Sequence, residues 1–252
     1  MKIIIANWKN HPATSEEAKE LFIAESQLAE KYSNVKTIIC PPEEFLSEIS
    51  QLSTINYKLK TIPGSQDVFW PSPTSPKANL GGQASSSSYG VRYTLVGHSD
   101  RRAAGDSDEI INQKIKTALA TKVVPILLVG EKAKGENQKA ILEEQLAKGL
   151  AGLSPEDMDS VLICYEPVWA ISTNPEAEPD SSQNTLLAGD TINEFLRSMF
   201  RVSRSGILYG GSVTTDNVGD FLKHPEIIGA VVGAASLDPA EFAKLLETVS
   251  QI

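Results

Sequence analysis

Long apolar runs, cysteine, histidine and positive charge are all scarce in this 252-residue chain. Each shortage closes off a class of protein. No stretch approaches the roughly 18 consecutive apolar residues of a membrane-spanning helix, so no membrane partner is expected. The opening Met1-Lys2-Ile3-Ile4-Ile5-Ala6 is too short for the apolar segment of a secretory signal and runs directly into Asn7-Trp8-Lys9. It reads as a strand, and a cytoplasmic location is expected. The two cysteines, Cys40 and Cys164, each end an apolar strand-like run on a different strand and read as buried reduced thiols. The three histidines lack the clustered spacing of a metal site, so no metal is predicted. Neither a G-x-G-x-x-G nor a P-loop is present, which removes the usual nucleotide signals, and no cofactor is expected. A formal net charge of −9 argues against nucleic acid as a partner while leaving room for a local positive pocket.

What the chain does have is alternation. With 41% hydrophobic residues it can bury a sizeable core. Short runs rich in Ile, Val, Leu, Tyr and Thr occur at 2–6, 36–40, 57–62, 92–97, 123–129, 161–165, 206–209 and 228–232, as strands buried on both faces require. Helical stripes lie between them: Ala18, Leu21, Phe22, Ala29 and Tyr32 after the first, and Ala188, Ile192, Phe195, Leu196 and Met199 after the sixth. Thr14 with Glu17 fits a capping box and Pro155 suits a first helical turn. Phe242, Leu245, Leu246 and Val249 form a closing amphipathic helix. Strand and helix alternating about every 30 residues imply a parallel sheet, and eight such units close a barrel. The expected architecture is an α/β fold, a single (β/α)8 barrel over residues 1–252. The third unit is the weakest, with Pro71, Pro73 and Pro76 in a long loop and a serine run at 85–88. That loop is either a surface insertion or an arm that meets a partner.

In a closed parallel barrel the strand C-termini converge on one mouth, so order along the chain becomes proximity. Asn7 and Lys9 follow the first strand, His98 and Ser99 the fourth, and Glu166 the sixth. Gly210-Gly211-Ser212 follow the seventh and Gly233-Ala234 the eighth. A cation, an imidazole and a carboxylate would meet two small-residue turns whose backbone N–H groups can hold an anion. Glu166 is followed by the stiff Pro167-Val168-Trp169, which has the form of a base ahead of a lid hinge. The set suits isomerisation of a phosphorylated hydroxy-carbonyl compound. The carboxylate would take a proton α to the carbonyl, the cation and imidazole would stabilise the enediolate, and the amides would anchor the phosphate. Taken singly, each signal has a plainer explanation: His11 and His224 read as structural or surface histidines, a lone lysine is often solvated, and a double glycine is often an ordinary turn.

The blocks Asn7-Trp8-Lys9, Val96-Gly97-His98-Ser99, Tyr165-Glu166-Pro167-Val168-Trp169-Ala170-Ile171, Tyr209-Gly210-Gly211-Ser212-Val213 and Gly233-Ala234-Ala235-Ser236-Leu237 occur in the order and spacing of the triosephosphate isomerase family. So does Pro125-Ile126-Leu127 before Val129-Gly130-Glu131. The chain resembles that family nearly end to end. The family is itself the standard illustration of a glutamate base, a neutral histidine electrophile and a closing loop, and those roles come from the resemblance. It implies Glu166 as the base, His98 as the neutral imidazole and Lys9 as the electrostatic clamp with Asn7 beside it. It also implies a flap over 172–177, with Trp169 in its hinge and Tyr209 and Ser212 as its latch. Backbone N–H groups of Ser172, Ser212, Gly233 and Ala234 would bind the phosphate. Ser99, Asp100 and Glu131 would support the site.

Several positions depart from the family pattern. Asp100 replaces a glutamate one methylene longer, which predicts a reduced rate and a longer contact to Lys9 or an adjusted backbone. Ser172 and Asn174 replace flap glycines, Pro175 replaces a lysine, and Ala234 replaces a glycine in the phosphate turn. Leu128 stands where a cysteine is usual. In the loop that the family extends into a neighbouring subunit, Gly81 and Gln83 replace a threonine and a glutamate. A homodimer anchored by Phe69 and Trp70 is expected, with a monomer as the alternative. For function, interconversion of glyceraldehyde 3-phosphate and dihydroxyacetone phosphate leads. An isomerase of a tetrose phosphate and a non-catalytic phosphate-ligand sensor are the alternatives that the altered flap raises.

Overall fold

The computed structural model describes residues 1–55, 60–68, 90–202 and 206–252. Its strands are β1 (Lys2–Asn7), β2 (Val35–Cys40), β3 (Ile62–Ser65), β4 (Tyr93–Val96), β5 (Val124–Val129), β6 (Leu162–Tyr165), β7 (Ile207–Tyr209) and β8 (Ile227–Val232). They pair in chain order, all parallel, and β8 returns to β1 through Ile3 opposite Gly229 and Ile5 opposite Val231. The sheet is therefore a closed eight-stranded barrel, as the alternation predicts.

Two apolar layers hold it. Inside the barrel lie Ile5, Ile38, Cys40, Leu95, Ile126, Leu128, Cys164, Leu208 and Val231. The opposite strand faces meet the helices in a larger layer that includes Ile4, Trp8, Phe22, Ile39, Ile111, Leu127, Ile163, Ile192, Leu196, Phe242 and Leu246. Period-2 alternation thus splits each strand between two cores, which is why the strands read as continuous apolar runs. Both cysteines are buried and free. Leu128 lies opposite Cys164 across the β5–β6 register.

Helix α1 (Ser15–Lys31) starts with the Thr14–Glu17 capping box, and α6 (Pro155–Met158) carries Pro155 in its first turn. Helix α7 (Ser182–Phe200) buries Ala188, Ile192 and Leu196, and α9 (Pro239–Ser250) buries Phe242, Leu245, Leu246 and Val249. Met199 does not join the α7 stripe and is 62% exposed. Leu196 and Phe200 on either side of it are buried, so the covered face is narrower than the apolar stripe.

The third strand is a correction. It runs Ile62-Pro63-Gly64-Ser65, so of the expected 57–62 run Ile62 lies in the strand and residues 60 and 61 do not, while 57–59 lie outside the described residues. Its composition hides it, because proline and glycine replace the β-branched residues that mark the other strands. Glycine is required there: a Cβ on Gly64 would lie 2.6 Å from Cys40 Sγ and 2.9 Å from Ile38 Cγ2. Phe69, Trp70 and the segment 79–83, on which the assembly argument rests, lie outside the described residues.

Candidate active site

The site is built where the strands end. Asn7 closes β1 and is buried, and Lys9 sits two residues on with φ +53°, a left-handed backbone that costs a non-glycine residue about 1 kcal/mol or more. Local bonds hold that turn. The Lys9 N–H donates to Asn7 Oδ1 at 3.2 Å, and Gln66 Nε2 donates to the Lys9 carbonyl at 2.7 Å and the Cys40 carbonyl at 3.0 Å. Beyond β4, His98 is the N-cap of the short helix α3 (Ser99–Ala103). Beyond β6, the Glu166 N–H donates to the Val129 carbonyl at 2.8 Å, which extends the sheet and fixes Glu166 between β5 and β7.

These ends converge. His98 Nε2 lies 3.1 Å from Glu166 Oε1, while the Ser99 N–H donates to Glu166 Oε2 at 2.8 Å. The Asp100 N–H donates to His98 Nδ1 at 3.1 Å. Because Nδ1 accepts that bond, the imidazole carries its proton on Nε2, which makes it a neutral donor toward the carboxylate. Burial, opposed by Asp100 and aided by Lys9, holds the His98 pKa down at about 4. Burial also raises the Glu166 carboxyl to about 8, with the Ser99 amide and Lys9 pulling the other way and Asp100 adding to the rise. The two groups respond to one cause in opposite directions, and each is pushed toward its uncharged form. Lys9 Nζ reaches Asp100 Oδ2 at 3.3 Å, so the shorter acid still contacts the cation.

A buried hub supports the segment after Glu166. Glu131 Oε1 accepts from the Tyr165 hydroxyl at 2.7 Å and from Trp169 Nε1 at 3.0 Å, and its carbonyl accepts from the Val168 N–H at 3.0 Å. The Pro167-Val168-Trp169 hinge is thereby tied to the end of β5.

The chain that carries these strand-end groups matches a known enzyme family along nearly its whole length. The family model described as triosephosphate isomerase matches residues 2–249. The chain belongs to the triosephosphate isomerase family. Among its relatives, the triosephosphate isomerase of Mycoplasmoides gallisepticum is 37% identical, covering 98% of this chain and 97% of the relative. Those of Symbiobacterium thermophilum and Dictyoglomus turgidum are 34% and 35% identical, covering 99% and 96% of this chain and 97% and 96% of the relatives.

Against the family pattern, the lid residues stand in a particular arrangement. The Ser212 N–H, which the resemblance assigns to phosphate, donates here to the Ala170 carbonyl at 3.1 Å. Flap turns form through Asn174 N–H to the Ile171 carbonyl at 2.9 Å and Ala177 N–H to the Asn174 carbonyl at 3.0 Å. Among the described residues other than glycine, only Lys9, Lys122 and Arg201 have positive φ, so Ser172 and Asn174 hold this flap without a glycine-like backbone. The Tyr209 ring stacks on Phe221 with centroids 4.0 Å apart, and burial, with the Asp180 carboxylate adding to it, holds its hydroxyl pKa above the ordinary value. Gly233 and Ala234 open a 3-10 turn, with clear space where a Gly233 Cβ would sit.

Sequence reading missed Gln66, although the rule that found the other groups applies to it. It is the first residue after β3, and the misplaced strand concealed that. It also missed a buried ionic cluster beside the site. Lys114 Nζ donates to Asp67 at 2.9 and 2.7 Å and pairs with Asp106, while Arg101 Nε lies 2.9 Å from Asp67. Its members come from four separate segments, so no local motif announces it. Among the described residues no group of three or more His, Cys, Asp or Glu could hold a metal ion, and no helix is long and apolar enough to cross a membrane.

Proposed function

We propose that this chain interconverts D-glyceraldehyde 3-phosphate and dihydroxyacetone phosphate, with Glu166 as base, His98 as electrophile and Lys9 as electrostatic clamp. The family match over residues 2–249 supports the reaction, and the 3.1 Å approach of a neutral, Nε2-protonated His98 to Glu166 is the observation that carries the assignment of roles. Ionised Glu166 removes the proton from the carbon next to the carbonyl. His98 donates through Nε2–H to the carbonyl oxygen, which develops negative charge, and the Lys9 ammonium offsets that charge in a site with little water to screen it. Returning the proton to the adjacent carbon completes the exchange of aldehyde and ketone.

In this structure Glu166 is bonded to Ser99 and His98, and Ser212 to Ala170. Substrate therefore has two local bonds to exchange. Its carbonyl replaces Glu166 on His98, and its phosphate replaces Ala170 on the Ser212 amide, beside Ser172, Gly233 and Ala234. The second exchange frees Ala170, next to the Trp169 hinge, and links phosphate binding to flap movement. A coupled assay with each triose phosphate tests the reading: turnover well above a Glu166→Gln control is expected, and turnover no higher than the control overturns it.

The same reading makes the protein a cytoplasmic homodimer without a cofactor. Light scattering tests the assembly: twice the chain mass is expected, and a concentration-independent value near 27.2 kDa overturns it.

A further inference from the structure

Helix α1 carries an anomaly on its buried stripe. Ala18, Phe22, Glu25, Ser26 and Ala29 are the residues it buries, and Glu25 is fully buried. Its Oε1 accepts from the Trp8 indole N–H at 3.0 Å, while its Oε2 is buried without a partner among the described residues. A carboxyl so placed stabilises a helix poorly, since one oxygen is desolvated without a compensating bond. Helix packing does not call for it. What it supplies is an acceptor for Trp8.

Trp8 lies between Asn7 and Lys9. Its own N–H donates to the Cys40 carbonyl at 3.2 Å, its carbonyl accepts from the His11 N–H at 3.0 Å, and its ring is fully buried between barrel and helix. The next residue, Lys9, has the strained φ of +53° and sends its ammonium to the mouth beside Asp100. A left-handed lysine persists only where its surroundings over-determine it. Asn7 holds the turn from β1 and Gln66 holds it from the end of β3. The indole bond holds it from the helical layer.

We infer that Glu25 is a positioning residue for Lys9, acting through the Trp8 indole to fix the left-handed turn that directs the ammonium into the site. The inference rests on the reading of Lys9 as the clamp. Glu25 touches no substrate; it sets where the cation stands, and misplacing a catalytic group by about 1 Å can cost up to about 100-fold in rate.

The test uses Glu25→Leu and Glu25→Gln in the full chain. Leucine fits the apolar face and removes the acceptor, whereas glutamine keeps an oxygen for the indole. Glu25→Leu is expected to weaken 2-phosphoglycolate binding in calorimetry, and to lower kcat/KM, by about tenfold while its melting temperature at pH 8 stays at or above that of the parent. Glu25→Gln should stay within about twofold of the parent in both. In a Lys9→Met background the leucine change should add less than twofold, because the route runs through Lys9. Should Glu25→Leu not fold, Trp8→Phe removes the other half of the bond and is expected to give the same tenfold losses. Affinity within twofold of the parent in folded Glu25→Leu or Trp8→Phe overturns the inference, as does an equal loss with and without Lys9. Absence of isomerisation in the parent would instead sink the clamp reading, and the phosphoglycolate comparison would still decide the role of Glu25.

Discussion

Replacing Glu166 by glutamine should stabilise the protein increasingly as pH rises, although it removes the base. The carboxyl is 3% exposed, and burial lifts its pKa from an ordinary 4.5 to about 8. A group with a raised folded pKa binds more protons in the native state than in the unfolded one. Its contribution is therefore fully present below pH 4.5 and declines until pH passes 8. At about 1.4 kcal/mol per pH unit, the parent loses about 2 kcal/mol relative to the variant between pH 6.5 and 9, with most of the change below pH 8. That window lies above the His98 titration in the folded protein, and the ordinary titration near 6.5 in the unfolded chain is common to parent and variant and cancels in their difference.

The variant carries a cost of its own. Its amide cannot accept from both Ser99 and His98 as the carboxylate does, which leaves a donor facing a donor at about 1 to 3 kcal/mol. That cost does not depend on pH. It shifts the whole difference curve, so the slope with pH is the quantity to read. Urea unfolding of both proteins at half-unit steps from pH 6.5 to 9 measures it. Activity should fall by about 100-fold to 10,000-fold, as loss of a general base entails. A stability difference that is flat across the window would refute the argument, because the Glu166 carboxyl would then not be held above its ordinary range by burial.

Three further outcomes follow from the geometry. Side-chain nitrogen NMR of His98 should show a neutral Nε2–H tautomer down to pH 5; a protonated Nδ1 or titration near 6.5 would contradict the Asp100 amide bond. Gly130→Ala would place a Cβ 2.0 Å from the Glu166 carbonyl oxygen, so a loss of about 1 to 3 kcal/mol in urea unfolding and a clear fall in kcat are expected. Unchanged values would show that the β5–β6 junction yields freely. Lys114→Met strands Asp67 and Asp106 beside Arg101 and should cost about 3 to 5 kcal/mol in unfolding experiments, whereas a loss below about 1 kcal/mol would mean that the cluster is solvated.

How far the sequence reached depended on the type of signal. Seven strands lie within a residue or two of their apolar runs, because burial on both faces demands the β-branched residues that advertise them. The exception is β3, where Gly64 must clear Cys40 and Ile38, and a steric demand from a neighbouring strand overrode local propensity. Met199 fits the helical period yet is exposed, since periodicity gives a direction and not the extent of what covers it.

The sequence by itself determined the closed barrel, the mouth at which Asn7, Lys9, His98 and Glu166 meet, and the family. Those follow from the alternation of strand and helix, from the convergence of parallel strand ends, and from motifs contiguous along the chain. Tertiary structure alone decided the imidazole tautomer, the opposite displacement of the His98 and Glu166 pKa values, and the engagement of Ser212 by Ala170. It alone also decided that Gln66 holds the Lys9 carbonyl and that Glu25 accepts from the indole of Trp8, the residue before Lys9. The physical reason is common to all of these. Desolvation and hydrogen-bond geometry depend on which distant residues are brought within about 3 Å, and a linear pattern records direction along one element but not that distance.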